Sequence, residues 1–465
     1  MSWLAAAVIV LAAFSPRVFS QASLFDPSFA IGSGANGYVY SVLVQQDGRI
    51  LVGGDFTQIA GQSHPYLARL NGDGQIDTSF ACGTDGTVYR LIEQPDGKVL
   101  VGGSFSNLQG VARQSIGRLL TNGSVDLSFD ANPLPGSEKS VIALGLQTDG
   151  KVLFGNFATS GELFRLNTNG QLDVSFVQTN IFQKWYIFSI RPLTNGSILV
   201  GGGFQGVNDF ATVGLALLDA NGRLDTNYTS GLETNSNPTT IVEQPDGSLL
   251  IGGGMWRQGS TNKIVLARMN PALAWDTSFC PDYFDRWPFA YGYGYVYSIV
   301  SLPNGKILLG GNFQEVGGFW RRGIAQLDSE GRVDPCFDPG LGLSPSYFFG
   351  AMALARQPDG KILVGGDFFD LISGGTNRTH ITRLLPQSDC DNLRAYLRLQ
   401  GDGTFFIAAT FPPGGTNILQ VSSNLVDWID REVSASPYCW GPKAFESPWR
   451  VSDTPLIFVR GKKQY

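Results

Sequence analysis

The chain offers few side chains that could run a reaction by themselves. It has two histidines, His64 and His380. A Ser-His-Asp relay would have to use one of them, and neither an HExxH nor a GxSxG pattern points to either. The five cysteines, Cys82, Cys280, Cys336, Cys390 and Cys439, are odd in number and form no CxxC. Cys390 with Cys439 is the one pairing their positions suggest, and free thiols are expected elsewhere. "NGDGQID" at residues 71–77 has some of the lettering of a calcium loop. It lacks the further carboxylates and the twelfth-position Glu, so a hairpin turn is expected there. "GSGANG" (32–37) and "GGGFQG" (201–206) spell GxGxxG with no helix to follow, so nothing would cradle a phosphate. Neither a cofactor nor a metal is therefore expected. Carboxylate pairs for glycoside hydrolysis need a spatial gap rather than a sequence spacing, and they stay open.

Binding chemistry has better material. "DYFDRWPFAYGYGY" (282–295), "MWRQ" (255–258), "GFWRR" (318–322) and "SYFF" (346–349) gather aromatics with arginine. The candidate ligand-binding residues are Trp256, Arg257, Tyr283, Asp285, Arg286, Trp287, Tyr291, Trp320 and Arg321. An indole stacks on the apolar face of a sugar ring, while Arg and Asp can satisfy its hydroxyls. Aromatics with Arg are also typical of protein hot spots. The competing reading is that these side chains pack the loops against each other.

Such loops need a scaffold, and the sequence writes one seven times. "PDGKILVGGDF" (358–368) recurs as "PDGKVLVGGSF" (95–105) and "QDGRILVGGDF" (46–56). Its turn glycine returns at Gly48, Gly97, Gly150, Gly196, Gly247, Gly305 and Gly360. A second module follows each copy, as in "ARLNGDGQIDTSF" (68–80). Each unit reads as four short strands, a to d: residues 39–45, 49–53, 66–70 and 75–80 in the first. Asp-Gly and Asn-Gly suit the hairpin turns between a and b and between c and d. Seven four-stranded units of this length predict an all-β, seven-bladed β-propeller. The seventh unit lacks strand d, and a stray copy, "LFDPSF" (24–29), precedes the first. The N-terminus is thus expected to complete the last blade and close the ring.

Repetition also separates structure from chemistry. Asp26, Asp77, Asp126, Asp173, Asp225, Asp276 and Asp334 mark every strand d, whereas a catalytic residue would appear once or twice. These carboxylates are expected to accept turn or neighbouring backbone N–H groups. Arg69, Arg118, Arg165, Arg268 and Arg383 of strand c are placed to pair with them, with Leu217 and Gln326 at two of the corresponding positions. The closing aromatics, from Phe29 and Phe80 to Phe337, read as core between blades.

The units resemble delta-60 repeats, a propeller-type repeat of exported bacterial proteins, over about residues 24–388. The resemblance implies a propeller and no particular activity. Kelch repeats share the double glycine but expect a later Tyr and Trp that these units do not show. From about residue 391 the pattern changes. "ILQVSSNLVDWIDREV" (418–433) resembles a small β-sandwich appended to exported bacterial proteins, with "PLIFVRGKKQY" (455–465) as its last strand. The domains expected are 1–20 signal peptide, 21–390 propeller and 391–465 C-terminal β-sandwich.

Bulk properties agree with a globular exported protein. The chain has 465 residues, 43% hydrophobic and 15% charged, with a net charge of −6. That gives no basic footprint for nucleic acid. Residues 4–14 are apolar but too few to span a bilayer, and Val18 and Ser20 suit cleavage before Gln21. A secreted or envelope location follows, with no membrane span after cleavage. The expected function is a non-enzymatic binding or scaffold propeller that recognises a glycan or protein through its loop face. A polysaccharide-degrading enzyme using loop-face carboxylates, or a structural adhesion component, is the alternative.

Overall fold

The computed structural model describes residues 24–386, apart from short segments of which the longest are 286–293 and 371–377, and the strands between 394 and 464. The expected signal peptide and all five cysteines lie outside the described residues.

Seven antiparallel sheets follow one another along the chain. Blade one consists of strand a (Val39–Val44), strand b (Ile50–Gly54) and strand c (Leu67–Leu70), hydrogen-bonded in that order. The remaining inner strands are Thr87–Glu93, Val141–Leu146, Ile187–Pro192, Asn237–Glu243, Tyr295–Ser301 and Ala351–Arg356. Each inner strand packs on the next, and the strand of blade seven packs on that of blade one. The array is a closed seven-bladed ring. The apolar core is correspondingly divided, with one cluster between each pair of neighbouring blades. Between blades one and two, for example, Leu51, Leu67 and Phe80 meet Val88, Val99 and Val101. Burying each closing aromatic contributes about 1.5–3 kcal/mol.

The double glycine serves two contacts. A Cβ at Gly53 would stand 2.6 Å from Val88 Cγ1 of the next blade, and one at Gly54 would stand 2.0 Å from the Tyr38 carbonyl oxygen. The first glycine lets neighbouring blades approach. The second sits where strand a slips register between Val39 and Ser41, a slip repeated in all seven blades.

Closure occurs as the displaced strand predicts. Phe25 bridges Leu384 antiparallel, the Asp26 N–H donates to the Arg383 carbonyl at 2.8 Å, and Leu385 N–H donates to Leu24. The fourth strand itself is shorter than the sequence suggests. In blade one it is a single bridge, Leu70 to Ile76, and not a strand over 75–80. The Asp77 carboxylate accepts the Ser79 N–H at 2.9 Å, and the Phe80 N–H turns back to the Asp77 carbonyl. This local Asx-type turn takes the backbone out of the ladder. The b–c loops also carry two-residue hairpins that the repeat pattern does not announce, such as Gln58–Ile59 with Gln62–Ser63.

Beyond the ring, six strands form two three-stranded antiparallel sheets. One pairs Arg394–Leu399, Thr404–Thr410 and Phe445–Arg450. The other pairs Ile429–Glu432, Thr416–Ser422 and Phe458–Gln464.

Candidate functional site

The seven-fold Asp is a structural device. Arg69 Nε donates to Asp77 Oδ2 at 2.7 Å and Arg118 Nε to Asp126 at 2.8 Å. Arg165 and Asp173, Arg268 and Asp276, and Arg383 and Asp26 form the same bond. Gln326 substitutes by donating to Asp334 at 2.7 Å. Each guanidinium also lies 4.6–4.8 Å from the ring of its blade's closing Phe. Its Nη1 reaches across to a backbone carbonyl in the c–d turn of the following blade, as Arg69 does to Asn122 at 3.0 Å and Arg118 to Thr168 at 2.8 Å. Burial opposes ionisation at Asp77, but the Ser79 hydroxyl and N–H and the Arg69 guanidinium outweigh it and hold the carboxyl down to about 2. The five Arg pairs latch blades together, whereas Asp225, opposite Leu217, is exposed and accepts the Asn227 N–H.

What stands apart is the channel mouth on the loop face, where strands a begin and strands b end. Tyr38, Tyr40, Tyr89, Tyr186, Phe188, Tyr295 and Tyr297 are all half-buried there. Six of them come in three pairs two residues apart, so both rings of a pair leave one strand close together, and Tyr89 stands alone on blade two. Tyr295 and Tyr297 stack at 6.0 Å between centroids with 6° between planes. Tyr38 with Tyr40 and Tyr186 with Phe188 meet edge-on at 6.2 and 6.0 Å, and Tyr40 lies 5.3 Å from Tyr89 of the next blade. Three inner strands spell this out as "YVYS", "YIFS" and "YVYS". That signal was available in the sequence, masked because the segment reads as ordinary strand.

Polar groups flank the aromatics. Asp55 and Asp367 hold the same position after the double glycine in blades one and seven. Asp55 accepts the Tyr40 hydroxyl at 3.2 Å, and Asp367 is fully buried. Desolvation first, then the Asp55 charge and hydrogen bond, push the Tyr40 phenol well above its ordinary value. His380 packs edge-on to Tyr38 at 5.5 Å and places Nδ1 3.1 Å from the Gly366 carbonyl. Burial lowers its pKa, with the Gly366 carbonyl, Asp367 and Asp55 opposing that shift. On the far rim, Lys263 Nζ stands 3.7 Å over the Tyr295 ring and 5.2 Å from that of Trp256.

The residues expected from sequence are distributed unevenly. Trp256 is half-buried under Lys263, and the Arg257 guanidinium lies 5.8 Å from the Trp275 ring. Asp285 and Trp320 lie on strands flanking Glu315 in one small sheet of blade six, each its Cα partner. Arg321 is 2% exposed and lies over Phe319 at 5.3 Å, placed inward as a packing residue. Tyr283, Arg286, Trp287 and Tyr291 lie outside the described residues. His64 is partly exposed in the b–c loop of blade one, and burial lowers its pKa. Among the described residues no group of three or more His, Cys, Asp or Glu is arranged to hold a metal, and no helix is long and apolar enough to cross a membrane.

Comparison with known proteins locates the repeats. The family described as "Domain of unknown function (DUF5122) beta-propeller" matches residues 45–80, 94–129, 147–176, 193–228, 244–279, 302–337 and 357–392, together just over half of the chain. No curated protein sequence matches it. Among solved structures, the extracellular domain of a putative one-component system from B. thetaiotaomicron is similar at 14% identity and a TM-score of 0.48, over 90% of this chain and 49% of that one. The chain thus spans about half the length of that neighbour. The WD40 β-propeller domain of Doa1 matches at 13% identity and a TM-score of 0.46, over 77% of this chain and 96% of that one. Virginiamycin B lyase from Staphylococcus aureus matches at 12% identity and a TM-score of 0.42, over 76% and 97%.

Proposed function

The chain belongs to this family of β-propeller domains, and from that premise we propose that it is an exported, non-enzymatic binding module that recognises a glycan through the loop-face mouth of its ring. The observation that carries the reading is the half-exposed aromatic rim. Paired tyrosine rings offer flat apolar faces for the C–H faces of sugars. The Asp55 carboxylate and the tyrosine hydroxyls stand beside them to exchange hydrogen bonds with sugar hydroxyls, as a desolvated hydroxyl requires. On this reading Asp285 and Trp320, on strands of blade six, would add further contacts to the ligand. Export rests on residues 1–20, and N-terminal sequencing of secreted protein is expected to begin at Gln21.

A glycan-array screen with the protein lacking residues 1–20 tests the reading. Tyr38→Ala, Tyr295→Ala and Trp320→Ala should each weaken binding to the best glycan about tenfold, near 1.4 kcal/mol, while melting within a few degrees of the parent. Loss of stability with unchanged affinity would assign these rings to packing. A second reading, a polysaccharide-degrading enzyme, is favoured by the carboxylates of Asp55 and Asp367 at equivalent positions in adjacent blades. Release of reducing sugar from a bound glycan, lost in Asp55→Asn, would establish it.

A further inference from the structure

The axis of the ring holds a second, chemically different space. A cavity of about 530 Å3 runs from Tyr40 and Phe188, which also belong to the aromatic mouth, to Thr148 and Thr194 in the a–b turns. That volume is in the range of small-molecule sites. The residues paired with the first glycine of each double glycine, or with Gly155 in blade three, are Ser41, Arg90, Ala143, Ser189, Thr240, Ser298 and Ala353, and all but Ala143 line the cavity. Six are small and one is a long cation. Three of the serines staple neighbouring blades. Ser41 Oγ accepts the Leu91 N–H at 3.2 Å, Ser189 that of Ile241 at 3.2 Å and Ser298 that of Leu354 at 3.1 Å. Having accepted, each hydroxyl retains its own proton to donate.

Arg90 crosses the channel instead. Its Nε donates to the Ile142 carbonyl of blade three at 3.2 Å, and Nη2 donates to the Phe188 carbonyl of blade four at 3.2 Å. These bonds fix the guanidinium and engage two of its five N–H groups. Among the described residues no carboxylate lies within ion-pairing distance of it, and burial alone lowers its pKa. The other charges lining the cavity, Arg191 and Glu243, neutralise each other at 3.0 Å. Arg90 is therefore a fixed, partly exposed cation at the cavity wall, with no carboxylate paired to it among the described residues.

We propose that this cavity binds a small hydroxylated monocarboxylate, of about hexuronate size, with its carboxylate on the Arg90 guanidinium. One guanidinium matches one carboxylate in a two-point bond. A phosphate dianion would need a second cation or a cluster of backbone N–H groups. The Thr240 and Ser298 hydroxyls donate to the ligand body, and Val42, Leu144 and Ile241 enclose it. The cavity shares Tyr40 and Phe188 with the glycan mouth, but Arg90, Thr240 and Ser298 belong to it alone, so Arg90→Gln tests it apart from the mouth.

The test is calorimetric titration of the full chain with glucuronate, its neutral counterpart glucose, and inorganic phosphate. Glucuronate should bind saturably and raise the melting temperature, and glucose and phosphate should do neither. Arg90→Gln should weaken glucuronate binding at least tenfold. Thr148→Trp, an exposed turn substitution that leaves Arg90 in place, should hinder access from the turn face and keep the melting temperature, which covers the case in which Arg90→Gln fails to fold. No glucuronate binding by the parent, or binding by both variants as tight as the parent's, would overturn the proposal. Glucose binding as tightly as glucuronate would do so as well.

Discussion

Arg383 Nε donates to Asp26 Oδ2 at 2.9 Å across 357 residues of sequence, and both side chains are almost fully buried, at 3% and 2% exposure. This bond joins the last blade to the strand that precedes the first. Arg378 reinforces it from the same blade by donating to the Asp26 and Phe29 carbonyls at 3.0 and 2.9 Å. The same Arg–Asp bond that ties strand c to strand d within other blades here ties the two ends of the propeller.

Breaking that bond should be expensive. Arg383→Ala leaves buried Asp26 with only Lys361 at 3.7 Å as a cation, so a loss of about 3 kcal/mol is expected in urea unfolding. Arg332→Ala, which removes an exposed pairing with Asp328 and Glu330, should stay within about 0.5 kcal/mol. Equal effects from the two variants would mean that the closing bond is dispensable.

Deletion of residues 21–32 tests closure directly. It removes the Phe25–Leu384 bridge and the buried Phe29 ring, and exposes the edge of strand c in blade seven (Thr379–Leu384). A large drop in melting temperature or self-association through that edge is expected. Deletion of residues 391–465 should leave the ring folded. An N-terminal deletion that melts and sediments like the parent would refute ring closure by this strand.

The latch carboxylates set a pH dependence. Asp77 and Asp276 are held at about 2 against an ordinary value of 3.8. At Asp276 the Ser278 hydroxyl contributes most, burial opposes, and Arg268 adds to the lowering. Because the folded values lie below the unfolded ones, this stabilisation is present above about pH 4 and is lost as pH falls towards 2. Each site accounts for about 2 kcal/mol at most. Urea unfolding of the parent should be nearly flat from pH 7 to 5 and fall steeply below 4. Asp77→Asn should be less stable at neutral pH and show a shallower fall; parallel curves for the two proteins would disprove the assignment.

The two glycine classes should be separable by a double mutant. A Cβ at Gly365 would stand 2.4 Å from Val39 Cγ1 of blade one, whereas at Gly48 it would meet nothing within 4 Å and only the φ of +82° resists it. Gly365→Ala should cost about 1–3 kcal/mol through overpacking, and Gly48→Ala about 1–2 kcal/mol through strain. Adding Val39→Ala should recover at least about 0.5 kcal/mol relative to additivity for Gly365→Ala and nothing for Gly48→Ala. Additivity in both pairs would show that the Gly365 contact does not limit packing.

The ring and its closure were legible because a period and a displaced strand are properties of order, and order is visible in sequence. The Arg69–Asp77 bond was legible for the same reason, since both partners recur together. The onward bond from Arg69 to Asn122 was not, because its acceptor is a backbone carbonyl and leaves no mark on residue type. Trp256 and Trp320 stood out by composition, whereas the Tyr38, Tyr186 and Tyr295 rim was hidden by its regularity. Arg90 was hidden in the opposite way. It breaks a column of Ser, Ala and Thr that appears only when the inner strands are aligned by structure.

Synthesis gives the Arg383–Asp26 bond a timing. Chains are made at about 5–20 residues per second, so Asp26 is added to the chain roughly 20–70 s before Arg383. Throughout that interval six blades can form while their two outer edges remain unpaired, and the first strand has nothing to join. The last blade then captures the oldest segment of the chain, and both ends disappear into one sheet. After that moment neither end of the ring can peel away without tearing the same blade, so the two weakest points of an open array become one shared and guarded seam.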